Sequence, residues 1–304
     1  MFRNWTGVLL ALGLGLSAAP AAASFDNIAV SPRARAMGES AVAMADDAFA
    51  PYYNPAGLAM LGGPTFAASY VRPNGLTFLD LGYAGGACPL GAHAGTLGIG
   101  LRRLATEYEG ALLDQEQFAT LAYGLKVYED MHSAIRVGVA LNAYDLRFGP
   151  TIGDADAAFT GAQDPGNDVV VGADAGLLVT LHERTRMGVY VKNLNNPQIG
   201  RDREEIGQRV HGGLAYSPYD RVWTSFEIEN LIGRDVIYHG GVEVAMDYGL
   251  TVRLGVLTNP NKVTAGFGYR WRGVSVDYGF STGGGVLDGS HQFGLSYAWG
   301  GEAQ

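Results

Sequence analysis

Charged residues, and basic residues above all, are scarce in this sequence. Only 17% of the 304 residues are Asp, Glu, Lys or Arg, against about 25% in ordinary soluble domains. The 30 acidic residues outnumber the 21 Lys and Arg, and the formal net charge is -9. Because nucleic-acid binding requires a basic surface, this balance excludes DNA and RNA as partners.

Cysteine is almost absent, and no catalytic spacing replaces it. The single Cys88 excludes an intramolecular disulfide and a cysteine-rich zinc site. The histidines show no H-E-x-x-H spacing, and Gly279 to Gly283 matches G-x-S-x-G without the strand, turn and helix that a nucleophile elbow needs. We therefore expect no enzyme, no cofactor and no metal ion. A cation site remains the weaker alternative for the loop acids Asp154, Asp156, Asp164 and Asp168.

Long hydrophobic runs are missing after residue 24. No segment there approaches the roughly 18 apolar residues of a transmembrane helix. The first 23 residues differ, because Arg3 precedes an apolar stretch from Gly7 to Ala18, and Ala21 to Ala23 form a small-residue cleavage site. This pattern is typical of a secretory signal peptide over residues 1–23, so we expect an exported protein that begins at Ser24.

Glycine, by contrast, is abundant at 45 residues, and tyrosine at 16. In the C-terminal half, apolar residues alternate with glycine and polar residues, which predicts strands with one apolar and one polar face. The glycine-rich polar face, the aromatic ends of the apolar stripes and segment lengths near about 9–11 residues favour a barrel in lipid over a soluble sandwich. Examples of the apolar stripe are Val263, Phe267, Tyr269 and Trp271, and Phe293, Leu295, Tyr297 and Trp299.

Fourteen such segments follow one another from Thr65 onward. They predict an all-β transmembrane antiparallel barrel of about fourteen strands over residues 64–304. Tight turns alternate with longer loops, and the loops are expected at 105–116, 149–167, 193–208 and 282–290. Since outer-membrane barrels have short periplasmic turns and longer outer loops, we expect an outer-membrane location with both termini in the periplasm. Membrane lipid, lipopolysaccharide and the barrel assembly machinery are the partners that this location implies.

Charged residues on the polar faces are expected to point into the lumen. Six are basic and six are acidic, whereas a selective pore shows a ring of one sign. The balance indicates paired charges that pack the interior, and positions at the wet rims are the alternative. The residues are Arg102, Lys126, Arg136, Lys192, Arg253, Arg270, Asp80, Asp174, Glu227, Glu229, Glu243 and Asp277.

Residues 24–63 do not alternate. The stretch from Ala34 to Ala50, rich in Ala, Met and acidic residues, indicates a short helix, and Pro51 to Leu58 is rich in turn-forming residues. This segment is expected to be either a plug inside the barrel or a periplasmic arm.

The stretch from Arg33 to Leu61 resembles the N-terminal signature of the FadL-type outer-membrane proteins, including their PorV/PorQ branch. The shared pattern is Ala-Asp-Asp-Ala, here Ala45 to Ala48, then an aromatic residue and Asn-Pro-Ala-Gly, here Tyr53 to Gly57. The closing strands from Val252 onward are similar to those of the same group. The resemblance implies a fourteen-stranded barrel whose N-terminal hatch, residues 24–63, folds inside the lumen. The hatch motif would comprise Asp46, Asp47, Tyr53, Asn54, Pro55, Ala56 and Gly57.

The resemblance implies two alternative functions. FadL-type proteins admit small hydrophobic compounds such as long-chain fatty acids, and this is the favoured prediction. It implies a small hydrophobic ligand and an apolar cavity between hatch and wall. The PorV branch implies a carrier or scaffold in protein secretion, with secretion-system proteins as partners and a lumen sealed by ion pairs.

The last strand resembles the terminal signal that barrel insertion machinery reads. The pattern is a polar residue, a glycine and two aromatic residues at fixed spacing. The residues that fit it are Gln292, Gly294, Tyr297 and Trp299.

Overall fold

The computed structural model describes residues 25, 27–91, 93–149, 167–200, 203–233, 236–284 and 287–300. The predicted signal peptide and the loop acids Asp154, Asp156 and Asp164 lie outside these ranges. Within the ranges, no helix combines the length and the apolar character needed to cross a membrane.

Fourteen strands of the described ranges close into one antiparallel barrel, which confirms the predicted fold. They are β1 Thr65–Val71, β2 Leu79–Gly91, β3 Gly95–Tyr108, β4 Ala111–Glu129, β5 Ser133–Phe148, β6 Asp168–Leu181, β7 Thr185–Lys192, β10 Arg209–Tyr216, β11 Val222–Leu231, β12 Val236–Ala245, β13 Leu250–Leu257, β14 Lys262–Trp271, β15 Val274–Ser281 and β16 Ser290–Ala298. Two short strands, β8 Gln198–Ile199 and β9 Glu204–Glu205, pair with each other between β7 and β10. The barrel closes where β1 pairs with β16, with Thr65 opposite Ala298.

The two ends of the barrel differ in their connections. At the end where β1 begins and β16 finishes, here called the terminal end, short turns join the strands; the opposite end carries the longer connections and is called the loop end. The prediction of a loop at 105–116 is wrong, because β3 and β4 extend into this range and are joined by a tight turn at Glu109 and Gly110. Both turn residues have positive φ, 50° and 80°, as a tight hairpin requires. Since β4 has 19 residues, about twice the length that spans a membrane, the strand extends beyond the apolar band.

Side chains alternate between lumen and exterior as the sequence predicts. On β14, Val263 and Phe267 point outward and are 58% and 52% exposed, whereas Thr264 between them is completely buried. On β16, Phe293 and Leu295 point outward and Gln292 is buried. The exterior of the barrel is therefore an apolar surface of the kind that lipid covers.

A charge placed on this surface is expected to cost stability according to its depth. Leu254, at the middle of β13, points outward and is 60% exposed. We expect Leu254→Arg to lower the free energy of unfolding in lipid vesicles by about 2–4 kcal/mol, because an arginine near the bilayer midplane must be desolvated. Leu250→Arg, on the same face of the same strand at the terminal end, should cost about 0–1 kcal/mol. Equal losses in a urea titration would contradict the assignment of this face to lipid.

Residues 27–63, here called the lumenal segment, run through the inside of the barrel. Near the loop end, Nδ2 of Asn27 lies 3.5 Å from Oε1 of Glu229 on β11. At the terminal end, the main-chain N–H of Trp299 donates to the carbonyl of Pro64 (2.8 Å). The segment contains helix α1 Pro32–Ala36, helix α2 Ala50–Tyr53 and a 3-10 helix Pro55–Met60. Of the two alternatives, plug or periplasmic arm, the structure thus has the segment inside the barrel.

Candidate functional site: the filled lumen

The lumenal segment rests on glycines of the barrel wall. Gly124 of β4, Gly138 of β5 and Gly176 of β6 lie side by side in register, beneath Asn54 and Ala56. A Cβ atom at Gly138 would lie 2.2 Å from the nitrogen of Ala56, and one at Gly176 would lie 2.2 Å from Oδ1 of Asn54. Glycine is therefore required on these three strands, because the main chain of the segment occupies the space of a side chain.

A second group of inward-facing glycines supports α1 and the turn after it. Gly241 and Gly255 pair across β12 and β13, and a Cβ atom at Gly255 would lie 2.2 Å from the nitrogen of Gly38. On β15, a Cβ atom at Gly279 would lie 2.4 Å from the carbonyl oxygen of Pro32. The glycine-rich polar faces read from the sequence are thus the surfaces on which the segment lies.

Ion pairs join the lumenal segment to the wall. Arg33 donates to Asp46 within the segment (2.5 Å) and to both oxygens of Glu243 on β12 (2.8 and 2.9 Å). Glu243 also accepts from Arg253 of β13 (2.6 Å), which in turn donates to Asp277 of β15 (2.6 Å). Removal of one partner from such a buried network leaves an uncompensated charge, so the network holds the segment in one position.

The two adjacent acids of the predicted hatch motif ionise differently. Burial opposes the ionisation of Asp46, yet Arg33 and Arg186 of β7, at 2.5 and 2.7 Å, hold the pKa of Asp46 well below its usual range. Burial raises the pKa of Asp47 to about 6, because Arg33 lies 3.7 Å away and compensates only in part. Asp46 is therefore held as an anion between Arg33 and Arg186, whereas Asp47 accepts the N–H of Phe49 (2.8 Å).

The side chain of Glu227 on β11 binds main-chain N–H groups of the turn that follows α1. Its Oε2 accepts the N–H groups of Ala41 (2.7 Å) and Val42 (2.9 Å), and its Oε1 lies 2.9 Å from Nδ1 of His211. The side chain is only 4% exposed. Hydrogen bonds to a buried carboxylate are among the strongest in proteins, so this single residue fixes two consecutive residues of the segment.

The first and the last residue of the Asn-Pro-Ala-Gly motif, Asn54 and Gly57, are each required by a specific contact. Asn54 is buried, donates to the carbonyl of Leu177 on β6 (3.2 Å) and accepts the N–H of Ala56 (3.1 Å). A Cβ atom at Gly57 would lie 1.7 Å from the carbonyl oxygen of Ala45. The motif therefore combines an amide that bonds both wall and turn with a glycine that lets two parts of the segment touch.

An aromatic cluster fills the lumen beside the segment. Phe49 stacks on Tyr83 of β2 at 5.2 Å between ring centres, and Tyr52 meets Phe118 of β4 edge to face at 5.9 Å. The ammonium of Lys192 lies 4.1 Å from the centre of the Tyr52 ring, in cation–π contact. Two cavities that border the segment have volumes of about 10 Å³ each, close to the minimum for one water molecule.

Most of the charged residues expected in the lumen lie there. Lys126 and Arg270 instead are exposed near the terminal end, where Lys126 pairs with Glu129 (2.5 Å) and Arg270 donates to Ser275 (3.2 Å). The rim alternative thus describes these two. The buried residues are Arg102, Arg136, Asp174, Lys192, Glu227, Glu229, Glu243 and Arg253, and Asp277 is partly buried.

The expected lumen position of Asp80 is wrong. Asp80 points outward at the loop end, where it bonds to Tyr70 and Arg72. The reason is that β2 inverts the usual pattern: its large apolar residues Leu81 and Tyr83 face inward, since they pack on the aromatic residues of the lumenal segment.

Sequence reasoning missed a second arginine that anchors the segment. Arg35 of α1 donates to Gln292 (2.6 Å), to the hydroxyl of Ser281 (3.2 Å) and to the carbonyl of Ala29 (3.1 Å). Gln292, interpreted as part of an assembly signal, is completely buried in this contact. The serine of the G-x-S-x-G pattern is thus a hydrogen-bond partner of an arginine. Arg35 carries no signal in the sequence apart from its place in the resemblance.

The other assembly-signal residues divide between the two faces of β16. Gly294 faces α1, where a Cβ atom would lie 2.7 Å from the ring of Pro32. Tyr297 and Trp299 point outward, with ring centres 5.7 Å apart. A role of these residues in membrane insertion stays a prediction.

A closed antiparallel barrel with an apolar exterior and a filled, ion-paired interior defines an outer-membrane β-barrel protein. Residues 83–302 match the family described as "Type IX secretion system membrane protein PorP/SprF". The match spans most of the chain, and the protein therefore belongs to this family of outer-membrane barrels. The narrower resemblance to the PorV/PorQ branch stays a prediction.

Solved structures show the same fold. The toluene transporter TodX of Pseudomonas putida superimposes with a TM-score of 0.61 at 13% identity, covering 91% of this chain and 100% of that one. A FadL homologue of Pseudomonas aeruginosa gives a TM-score of 0.55 at 13% identity, covering 90% and 99%. At these identities the similarity concerns the fold alone. No curated protein matches the chain in sequence.

Proposed function

We propose that this protein serves a type IX secretion system as a sealed barrel, a carrier or scaffold for exported proteins that does not conduct small hydrophobic compounds. The observation that carries the proposal is the network in which Arg33 of the lumenal segment pairs with Glu243 of the wall. Sealing by ion pairs is what the secretion alternative predicts. Membership of the PorP/SprF family supports the same choice, although the sequence by itself favours transport.

The surroundings of the segment also disfavour an apolar ligand. One of its two small cavities is bordered by Lys192, His211, Glu227 and Glu229. A hydrocarbon there would lie against charged groups without offering them a hydrogen bond, which is costly. We infer that the lumenal segment, residues 27–63, acts as a permanent plug in this protein.

Loss of the protein is expected to reduce protein secretion and to leave hydrocarbon uptake unchanged. The test deletes the gene in its native bacterium and measures type IX cargo in the culture medium by quantitative mass spectrometry. Uptake of radiolabelled toluene and oleate is measured in the same cells, and the wild-type gene supplied in trans is the control. Normal cargo secretion combined with impaired uptake would overturn the proposal in favour of transport.

A further inference from the structure

The outer wall of the barrel carries a groove that takes no part in the proposed function. It has a volume of about 410 Å³ and lies across β11 to β14 near the loop end. Its apolar sides are formed by Phe226 and Tyr238, stacked at 6.3 Å, and by Val256 and Val263. All four side chains belong to the outward face of the barrel, so the groove opens towards lipid.

A glycine produces this depression. Gly240 faces outward between the aromatic pair and Val256, and a Cβ atom there would have 3.8 Å to Cγ2 of Val256, an ordinary contact. No main-chain contact requires glycine at this position, unlike the inward glycines on which the lumenal segment lies. A larger side chain would therefore fill the groove without displacing the wall.

The groove is polar at one end only. Thr258, Asn261, Lys262 and Thr282 border it at the loop end. Two of the hydroxyls are used within the wall, since Thr258 accepts the N–H of Tyr238 (2.9 Å) and Thr282 accepts that of Val263 (3.0 Å). The side chain of Lys262 makes no hydrogen bond or ion pair with the described residues, so its ammonium is available to a ligand.

An apolar groove with an unpaired lysine ammonium at its membrane-surface end matches the shape and charge of an anionic lipid. A water molecule occupies about 30 Å³ in the liquid, and a methylene group is of similar size. The groove thus has room for roughly a dozen methylenes, which is one acyl chain. A lysine near the membrane surface attracts anionic headgroups.

We propose that this groove binds one acyl chain of a phosphate-bearing lipid, and that Lys262 binds the phosphate. The proposal is independent of the secretion function, because it concerns the exterior wall alone.

The test is native mass spectrometry of the detergent-purified protein titrated with dioleoylphosphatidylglycerol, with dioleoylphosphatidylcholine as the zwitterionic comparison. We expect a one-to-one adduct that forms more readily with phosphatidylglycerol. Gly240→Leu should weaken the first binding step by about tenfold for both lipids, because the leucine occupies the place of the acyl chain. Lys262→Gln should weaken binding of phosphatidylglycerol about fivefold and leave phosphatidylcholine unchanged.

Gly212→Leu is the matched control, because Gly212 also faces outward and a Cβ atom there would meet nothing within 4 Å. Folding of each variant is checked by heat-dependent migration on gels. Binding by Gly240→Leu equal to that of Gly212→Leu would overturn the groove as the site. Should Gly240→Leu fail to fold, an unchanged preference for phosphatidylglycerol in Lys262→Gln would still overturn the role of the lysine.

Discussion

Gly138→Leu is expected to unseat the lumenal segment and to turn a closed barrel into a conducting one. A Cβ atom at Gly138 would lie 2.2 Å from the nitrogen of Ala56 and 2.3 Å from the carbonyl carbon of Pro55. Both are main-chain atoms, so no change of rotamer relieves the overlap. Overpacking of an interior costs about 1–3 kcal/mol even where side chains can adjust, and here the segment itself must move.

The measurement is the single-channel conductance of purified protein in planar lipid bilayers. We expect frequent, long openings for Gly138→Leu and a closed baseline for the wild type. Gly212→Leu adds the same side chain on the outward face, where nothing lies within 4 Å, and should remain closed. A closed baseline for folded Gly138→Leu would show that the segment is not seated on these glycines.

Glu227→Ala is expected to lower the free energy of unfolding by about 3 kcal/mol, because it leaves buried polar groups without their charged partner. The N–H groups of Ala41 and Val42 both depend on Oε2 of Glu227, and Nδ1 of His211 lies 2.9 Å from Oε1. Urea titration of the folded barrel, followed by gel migration, measures the loss.

Glu227→Gln separates the hydrogen bonds from the charge. The amide oxygen of glutamine can still accept both N–H groups, so we expect a cost of about 1 kcal/mol, the usual difference between a charged and a neutral acceptor. Equal losses for the alanine and glutamine variants would mean that the hydrogen bonds to Ala41 and Val42 contribute little.

Alternation allowed much of the barrel to be predicted. A strand repeats every two residues whatever surrounds it, so the faces of β14 and β16 are correct from the sequence. The two-residue alternation does not encode how far along the barrel axis a residue lies. Lys126 and Arg270 are exposed near the terminal end although their strands were correctly located. The pattern also failed on β2, where Leu81 and Tyr83 face inward because the lumenal segment supplies an apolar partner there.

The candidate site was predictable only in its parts. The resemblance singled out Asp46 and Asn54, and the polar faces singled out Glu243 and Arg253. Their partners were not predictable, since Arg33 and Glu243 are 210 residues apart in the chain. Arg35 was missed for the same reason, because its partner Gln292 is 257 residues away and had another interpretation.

The sequence by itself determined most of the strands and most of their faces, because these depend on periodicity and composition within a few neighbouring residues. Only the tertiary structure decided that the segment of residues 27–63 fills the lumen, and which wall residues hold it. The register of β4, β5 and β6 brings Gly124, Gly138 and Gly176 into one row. A glycine in the sequence of one strand does not show which glycines lie beside it, and only the register of the paired strands lines them up into a surface on which the segment lies.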